Sequence, residues 1–302
     1  MDNVSQLPAV GPIHEPVLER PERIEVLTRV CVDELLDAFG LGGPGRVRRL
    51  LEPLSRVPSK RLARQIATYD EIVGASGLAA GGAWALERMV RRIEVEGREN
   101  VPTKGPLLLV ANHPGLADSL ALFATVPRRD LRVVAAERPV LKALPNTSRY
   151  LMSISEASPG RLGVVRTAAR HLMGGGAVLT FPGGEIEPDP AVLPGAVESL
   201  ERWSESLDLF ARLVPGLTVV PAVVSGVLSH TALRNPLVLV RRRPRDREWL
   251  AATLQMLTPA LRNVSTLVAF GRPVHAGEGI IREPVLDEMR RLIEHCEARW
   301  PS

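Results

Sequence analysis

The residues with the most chemistry to offer gather in one short segment, Leu107-Leu108-Leu109-Val110-Ala111-Asn112-His113-Pro114-Gly115-Leu116-Ala117-Asp118. Its uninterrupted apolar run reads as a strand covered on both faces. That strand delivers an Asn-His pair into a Pro-Gly turn, and the carboxyl end of a strand in an open α/β sheet is where reacting groups collect. In a continuous helix, residues five apart lie about 140° apart around the axis, so His113 and Asp118 would not meet there. Pro114, however, favours the first helical position, which leaves His113 outside the helix and free to fold back over its first turn. Asp118 then takes the proton-bearing ring nitrogen and leaves the other nitrogen as a base. This is the His–Asp half of a triad without its serine, so the substrate must bring its own nucleophile, for example a hydroxyl. A base so placed contributes on the order of 10²–10⁴ in rate. The plain alternative makes His113 a turn residue and Asp118 the N-cap of a helix over Ser119–Thr125. The buried strand, the preceding Asn and the following Pro-Gly favour the catalytic reading.

A second apolar run, Ala177-Val178-Leu179-Thr180, ends in Phe181-Pro182-Gly183-Gly184-Glu185. Glycines in such a turn let backbone N–H groups approach a ligand closely, as an oxyanion hole requires. A third run, Val219-Val220-Pro221-Ala222-Val223-Val224, holds a proline that marks a strand start, a bulge or an edge.

The elements that must hold these turns change in texture along the chain. Residues 1–91 read as a helical region, with apolar residues Ile24, Leu27, Cys31, Leu35 and Ala38 near a 3.6 period before Gly40, and helical patterns around Lys60–Val73 and Trp84–Arg92. From residue 92 to 302, apolar runs at Ile93–Val95, Leu107–Val110, Leu131–Ala135, Ala177–Phe181, Leu217–Val224, Leu237–Val240 and Thr266–Phe270 alternate with helical patterns. The alternation predicts an α/β fold: a mixed, largely parallel sheet covered by helices, behind an N-terminal helical region.

Composition narrows the class. The chain has 302 residues, 45% hydrophobic and 24% charged with net charge +4, which excludes disorder as its dominant state. Two cysteines, Cys31 and Cys296, exclude a disulfide framework and point to a reducing, intracellular compartment. An aromatic content of 4% argues against stacking on single-stranded nucleic acid, and no nucleic-acid partner is expected. Met1–Ser5 lacks a secretory pattern, and no run reaches the roughly 20 apolar residues of a membrane span. Only Lys60, Lys104 and Lys142 are lysines, so nearly all the positive charge is arginine, whose fork suits phosphate and carboxylate. His14, His171, His230, His275 and His295 show no metal-ligand spacing, and no metal is expected.

Taken together and in this order, the segments resemble the glycerolipid acyltransferase family, the lysophosphatidate and glycerol-3-phosphate acyltransferases. Asn112, His113 and Asp118 match its Asn-His-x₄-Asp motif in full, and Val164-Val165-Arg166 lies where a motif ending in a phosphate-binding arginine is expected. Phe181-Pro182-Gly183-Gly184 matches Phe-Pro-Glu-Gly in part, Val220-Pro221 matches the Val-Pro strand, and Val268-Ala269-Phe270-Gly271-Arg272-Pro273 resembles the last core strand. The resemblance covers about residues 92 to 275. It implies an O-acyltransferase in which His113 deprotonates the acceptor hydroxyl and Asp118 orients the imidazole. The alkoxide then attacks an acyl thioester, acyl-CoA or acyl carrier protein, in one direct transfer. Asn112, Arg166, Phe181, Pro182, Gly183, Gly184 and Glu185 become the expected substrate-binding residues, with backbone donors near Gly183 and Gly184 facing the oxyanion. No cofactor is implied. The setting implied is cytoplasmic, peripheral on the inner face of the membrane.

The departures from the pattern bear on the acceptor. The motif's glutamate is replaced by Gly183, a carboxylate appears two places later at Glu185, and the motif's arginine is missing. Glu185 and Glu187 would repel a phosphate placed against them. Either Arg166, Arg161 or Arg170 binds it unaided, or the acceptor is a non-phosphate lipid alcohol or an amino-lipid; a lipid-binding protein without turnover is the non-enzymatic alternative. Two further signals stay open. Arg241–Arg247 suits coenzyme phosphates, anionic lipid or plain solvation, and the glycine-alanine-rich Ile72–Trp84 suits either a bilayer interface or helix packing. Gly40-Leu41-Gly42-Gly43-Pro44-Gly45 follows a helix rather than a strand, and reads as a helix-end loop rather than a dinucleotide fingerprint.

Overall fold

The computed structural model describes residues 19–115, 117–154, 161–276 and 280–299, so Met1–Ser5, His14, Leu116 and Trp300 lie outside the described residues. Three helices come first, α1 (Arg20–Ala38), α2 (Arg46–Ser76) and α3 (Leu78–Met89). The sheet follows, with β1 (Arg92–Glu96), β2 (Leu107–Ala111), helix α4 (Asp118–Thr125), β3 (Leu131–Ala136), β4 (Leu151–Ile154), helix α5 (Arg161–Met173) and β5 (Ala177–Thr180). The chain continues through α6 (Ser206–Leu213), β6 (Thr218–Ser225), α7 (Pro244–Leu257), β7 (Ser265–Phe270), β8 (Val274–His275) and α8 (Arg282–Arg299).

The strands lie in the order β1-β7-β6-β2-β5-β3-β4, with β8 beside the start of β6. From β6 to β4 neighbours are parallel; β7 runs against β6 and pairs parallel with β1. The sheet is therefore mixed and largely parallel. All five residues of β2 are buried, and they alternate between two hydrophobic clusters. Leu107, Leu109 and Ala111 face a cluster completed by α2, α3 and α4, whereas Leu108 and Val110 face one built with α5, α6 and α8. A strand with helices on both sides has no polar face to show, which is why its sequence does not alternate. The N-terminal helices share the first cluster: Leu27, Ala63, Ala67 and Val73 pack with Leu107 and Val220.

Several elements differ from the sequence reading. The pattern around Lys60–Val73 belongs to a 31-residue helix that runs through Pro53 and Pro58. An interior proline costs roughly 3 kcal/mol; packing along α1, with Arg48 on Asp33 and Arg56 on Glu25, offsets it. The stretch Ile72–Trp84 is two helices parted at Gly77, where φ is +88°. Its glycines serve packing, since a Cβ on Gly82 would lie 2.8 Å from the Leu120 carbonyl oxygen of α4. Leu237–Val240, expected as a strand, is a 3₁₀ turn started by Asn235, whose side chain accepts the Leu237 N–H at 3.0 Å before Pro236 sets the first turn. The four-residue edge strand β4 carries no β-branched run and was not expected.

Candidate active site

At the carboxyl end of β2 the chain is fastened sideways before it turns. The Asn112 amide donates to the Val224 carbonyl at 3.0 Å and accepts the Val224 N–H at 2.8 Å, pinning β2 to β6. Asn112 is buried with both ends of its amide used, so it is corrected from a substrate-binding residue to a clamp on the strand. Pro114 is corrected too: the helix starts at Asp118, four residues later, and Gly115 turns the chain at φ +105°. The fold-back of His113 comes from that glycine, because only glycine takes such a backbone without strain.

Asp118 closes the turn. Its Oδ2 accepts the His113 Nδ1 at 2.7 Å and the Gly115 N–H at 2.9 Å, and Oδ1 accepts from the backbone and hydroxyl of Ser119. The carboxylate is buried, while the His113 side chain is 29% exposed. With the Nδ1 proton held by a carboxylate, Nε2 keeps its lone pair. Burial works to lower the His113 pKa, but the charge and hydrogen bond of Asp118, joined by the charge of Glu187, outweigh it and the net shift is upward; Arg138 opposes them. Burial likewise works to raise Asp118, and His113, Gly115 and Ser119 outweigh it, holding the carboxyl below its ordinary range.

The loop after β5 supplies the other wall. The Phe181 ring lies on the imidazole with centroids 4.6 Å apart, tilted by 32°. Pro182 is buried, and its carbonyl accepts the Ser204 N–H at 3.1 Å. Gly184 cannot serve the oxyanion as expected, because its N–H already donates to the Phe181 carbonyl at 3.1 Å. Among the described residues no acceptor faces the Gly183 N–H. The carboxylate placed by sequence at Glu185 makes no bond to His113; it is exposed, 3.8 Å from Arg245 on α7. A different residue reaches the site: the N–H of His113 donates to Glu187 Oε2 at 2.8 Å, and the His113 carbonyl accepts the Glu187 N–H at 2.9 Å. Glu187 Oε1 accepts from Trp203 Nε1 at 2.7 Å and the Ser199 hydroxyl at 3.1 Å. Its burial pushes the carboxyl pKa up against these donors. The sequence offers no signal that singles it out, because Glu187 stands among other acidic residues in Glu185-Ile186-Glu187-Pro188-Asp189.

A cavity of about 490 Å³ opens beside this turn, with Pro114 and Gly115 at one end and α1 and α7 as its far wall. Ile186, Leu193, Leu228, Trp249, Ala252 and Met256 give it an apolar lining. Arg166 is not in this wall; it stands exposed on α5, which packs on the other face of the sheet from α4. Among the described residues no group of His, Cys, Asp and Glu is arranged to hold a metal ion, and no helix is long and apolar enough to cross a membrane.

A carboxylate-backed histidine at a strand end, beside an apolar cavity, is an arrangement able to take a proton from a substrate that brings its own nucleophile. Residues 92–225 match the family model described as Acyltransferase. No curated protein matches the chain. Among solved structures, the crystal structure of the 1-acyl-sn-glycerophosphate (LPA) acyltransferase PlsC from Thermotoga maritima is similar at 18% identity and a TM-score of 0.46, over 93% of this chain and 100% of that one.

Proposed function

We propose that the protein moves a fatty acyl group from a thioester, acyl-CoA or acyl carrier protein, to a hydroxyl of a glycerolipid acceptor. The observation that carries this reading is the 2.7 Å contact between His113 Nδ1 and the buried Asp118, which leaves Nε2 as the base. Nε2 takes the acceptor's hydroxyl proton as its oxygen attacks the thioester carbonyl. The Gly183 N–H, which makes no hydrogen bond among the described residues, is the donor we assign to the oxyanion of the tetrahedral intermediate. Collapse forms the ester and breaks the C–S bond, and the imidazolium returns its proton to the leaving thiolate. The apolar cavity, within the range of about 300–1,000 Å³ usual for ligand pockets, suits an acyl chain.

The setting is a membrane surface, approached from the cytoplasmic side. Val47, Leu50, Leu54 and Val57 stand 56–76% exposed along one stripe of α2, with Arg46, Arg49, Lys60 and Arg61 exposed beside them. An apolar stripe edged by cations suits an anionic bilayer interface.

A specific observation favours a second acceptor class. Glu34, Glu185, Glu187, Glu198 and Glu248 line the cavity against only Arg202 and Arg245, a balance that suits a neutral or amino headgroup better than a phosphate. Purified protein incubated with acyl-CoA and acyl carrier protein donors, against phosphate, neutral and amino lysolipids, decides by mass spectrometry of the products. A phosphate lysolipid converted fastest supports the first acceptor and an amino or neutral one the second. Bound lysolipid with no product from any pair overturns the transfer itself. Sedimentation with anionic vesicles, lost in Leu50→Asp/Leu54→Asp, tests the membrane setting.

A further inference from the structure

We infer that Glu187 is the positioning residue for the His113 base, and that it fills from four residues downstream the space a carboxylate at position 183 would occupy. The inference rests on His113 being the base of the proposed transfer. Glu187 and His113 exchange two backbone-level bonds, 2.8 Å from the His113 N–H to Glu187 Oε2 and 2.9 Å from the Glu187 N–H to the His113 carbonyl. The histidine is thus gripped on both sides of its Cα, and its ring swings only about its own side-chain torsions. The grip is itself anchored, because Oε1 is held by Trp203 and Ser199, and Glu187 is 3% exposed. His113 N–H and Trp203 Nε1–H are obligate donors, one to each oxygen, which suits an ionised carboxylate and no neutral side chain of the same shape.

Position 183 explains why this carboxylate comes from elsewhere. A Cβ built on Gly183 would lie 2.9 Å from Glu187 Oε1 and 3.0 Å from its carboxyl carbon. Gly183 is not among the glycines with positive φ, so its backbone accepts a side chain; the nearest obstacle is the Glu187 carboxyl group. A side chain at 183 and the Glu187 carboxylate are mutually exclusive occupants of one space. Glu187 does not reach the reacting atoms, so it acts through His113: it fixes the backbone and sets a negative charge behind the ring. Three charged groups bear on that ring, Asp118 at the start of α4, Glu187 after β5 and Arg138 after β3.

The test uses Glu187→Gln, Glu187→Ala and the exchange variant Glu187→Ala/Gly183→Asp in the full chain. Two readouts are taken: kcat and KM for acyl transfer, and the titration of the His113 imidazole by NMR. Glu187→Ala is expected to lose on the order of 10²-fold in kcat, the scale of a misplaced catalytic group, with KM far less affected. In both single variants the imidazole titrates at lower pH, because a negative charge has gone, and in the exchange variant both readouts return toward native. Glu187→Gln keeps the shape, so it remains readable if Glu187→Ala does not fold. An unmoved titration and unchanged kcat in Glu187→Gln would overturn the positioning role. Failure of the exchange variant to recover overturns the shared-space claim. If the native protein transfers no acyl group at all, the functional reading fails, while the titration still decides this inference.

Discussion

The turn after β2 and the loop after β5 meet at the same imidazole but are closed by opposite means. The first is tied locally: Asp118 binds His113 and Gly115 and accepts the N–H of its own neighbour Ser119. The second is tied across the chain. Glu187 joins His113, Ser199 and Trp203, and Asp189, fully buried, accepts the N–H groups of Gly226, Val227 and Leu228 at 2.8–2.9 Å. Local closure sets the internal geometry of the His–Asp pair; non-local closure sets where the pair stands relative to the cavity. Breaking the first therefore removes chemistry, and breaking the second loosens the site.

The largest effect is expected from the local turn. His113→Ala removes the base and lowers kcat by on the order of 10²–10⁴, with the thermal midpoint little changed. Asp118→Asn should approach it in rate, since an amide no longer pays the His113 tautomer with a full charge. It also turns an N–H₂ toward the Gly115 or Ser119 N–H. Single-turnover rates beside thermal melts separate the two losses. A His113→Ala protein that transfers acyl groups at the native rate removes the base assignment.

The long-range side responds in stability. Asp189→Ala orphans four backbone donors, three just past the end of β6 and that of Ala191, at about 1–3 kcal/mol for each buried group left unpaired. Partial relaxation should bring the total to roughly 3 kcal/mol, read in a denaturant titration. Leu193, four residues after Asp189, and Leu228, whose N–H that carboxylate accepts, line the cavity. KM for the acyl donor should consequently rise more than kcat falls; equal losses in the two would place Asp189 in the chemistry instead.

This same division decides what could be read from the sequence. The buried β2, its Asn-His ending and the partnership of His113 with Asp118 were legible, because every cause lies within a dozen residues. The mechanism of the fold-back was misassigned to Pro114, although Gly115 stood next to it. Glu187 was not legible as a partner of His113, since 74 positions separate them and only the parallel pairing of β2 with β5 brings the two strand ends together. Asn112 was read as facing substrate because its amide partner, Val224, is 112 residues away. The cavity needs α1 and α7 to pack over the loop after β5, a contact that no periodicity announces. The α2 helix was curtailed because local propensity at Pro53 and Pro58 was outvoted by packing on α1.

A subtler comparison is electrostatic. In the proposed transfer the base works only when neutral, so activity is expected to fall as pH drops through the His113 pKa of the folded protein. Burial works to lower that pKa, but Asp118 and Glu187 together raise it, so the acid limb of kcat/KM should have its midpoint above the ordinary imidazole value of about 6.5. Arg138 works against protonation. Arg138→Ala should move the limb to still higher pH, in the opposite direction to Glu187→Gln. A pH–rate profile in which both variants shift the same way breaks this account of the site's charges.

The smallest effect lies where the two regions touch. Phe181 comes from the non-local loop, yet its ring rests on the imidazole of the local turn, 4.6 Å between centroids and tilted by 32°. Such a contact contributes about 0.5–1.5 kcal/mol beyond area burial. It limits how the ring turns about its own bonds, the one freedom that neither Asp118 nor Glu187 removes completely. Phe181→Leu keeps an apolar surface there but gives up the flat face. The expected loss is roughly 2–10-fold in kcat, with the pH midpoint unmoved because no charge changes. If Phe181→Leu instead moves the midpoint to higher pH, opposite to Glu187→Gln, the ring's burial of His113 sets its basicity and the charge behind it has been credited with too much.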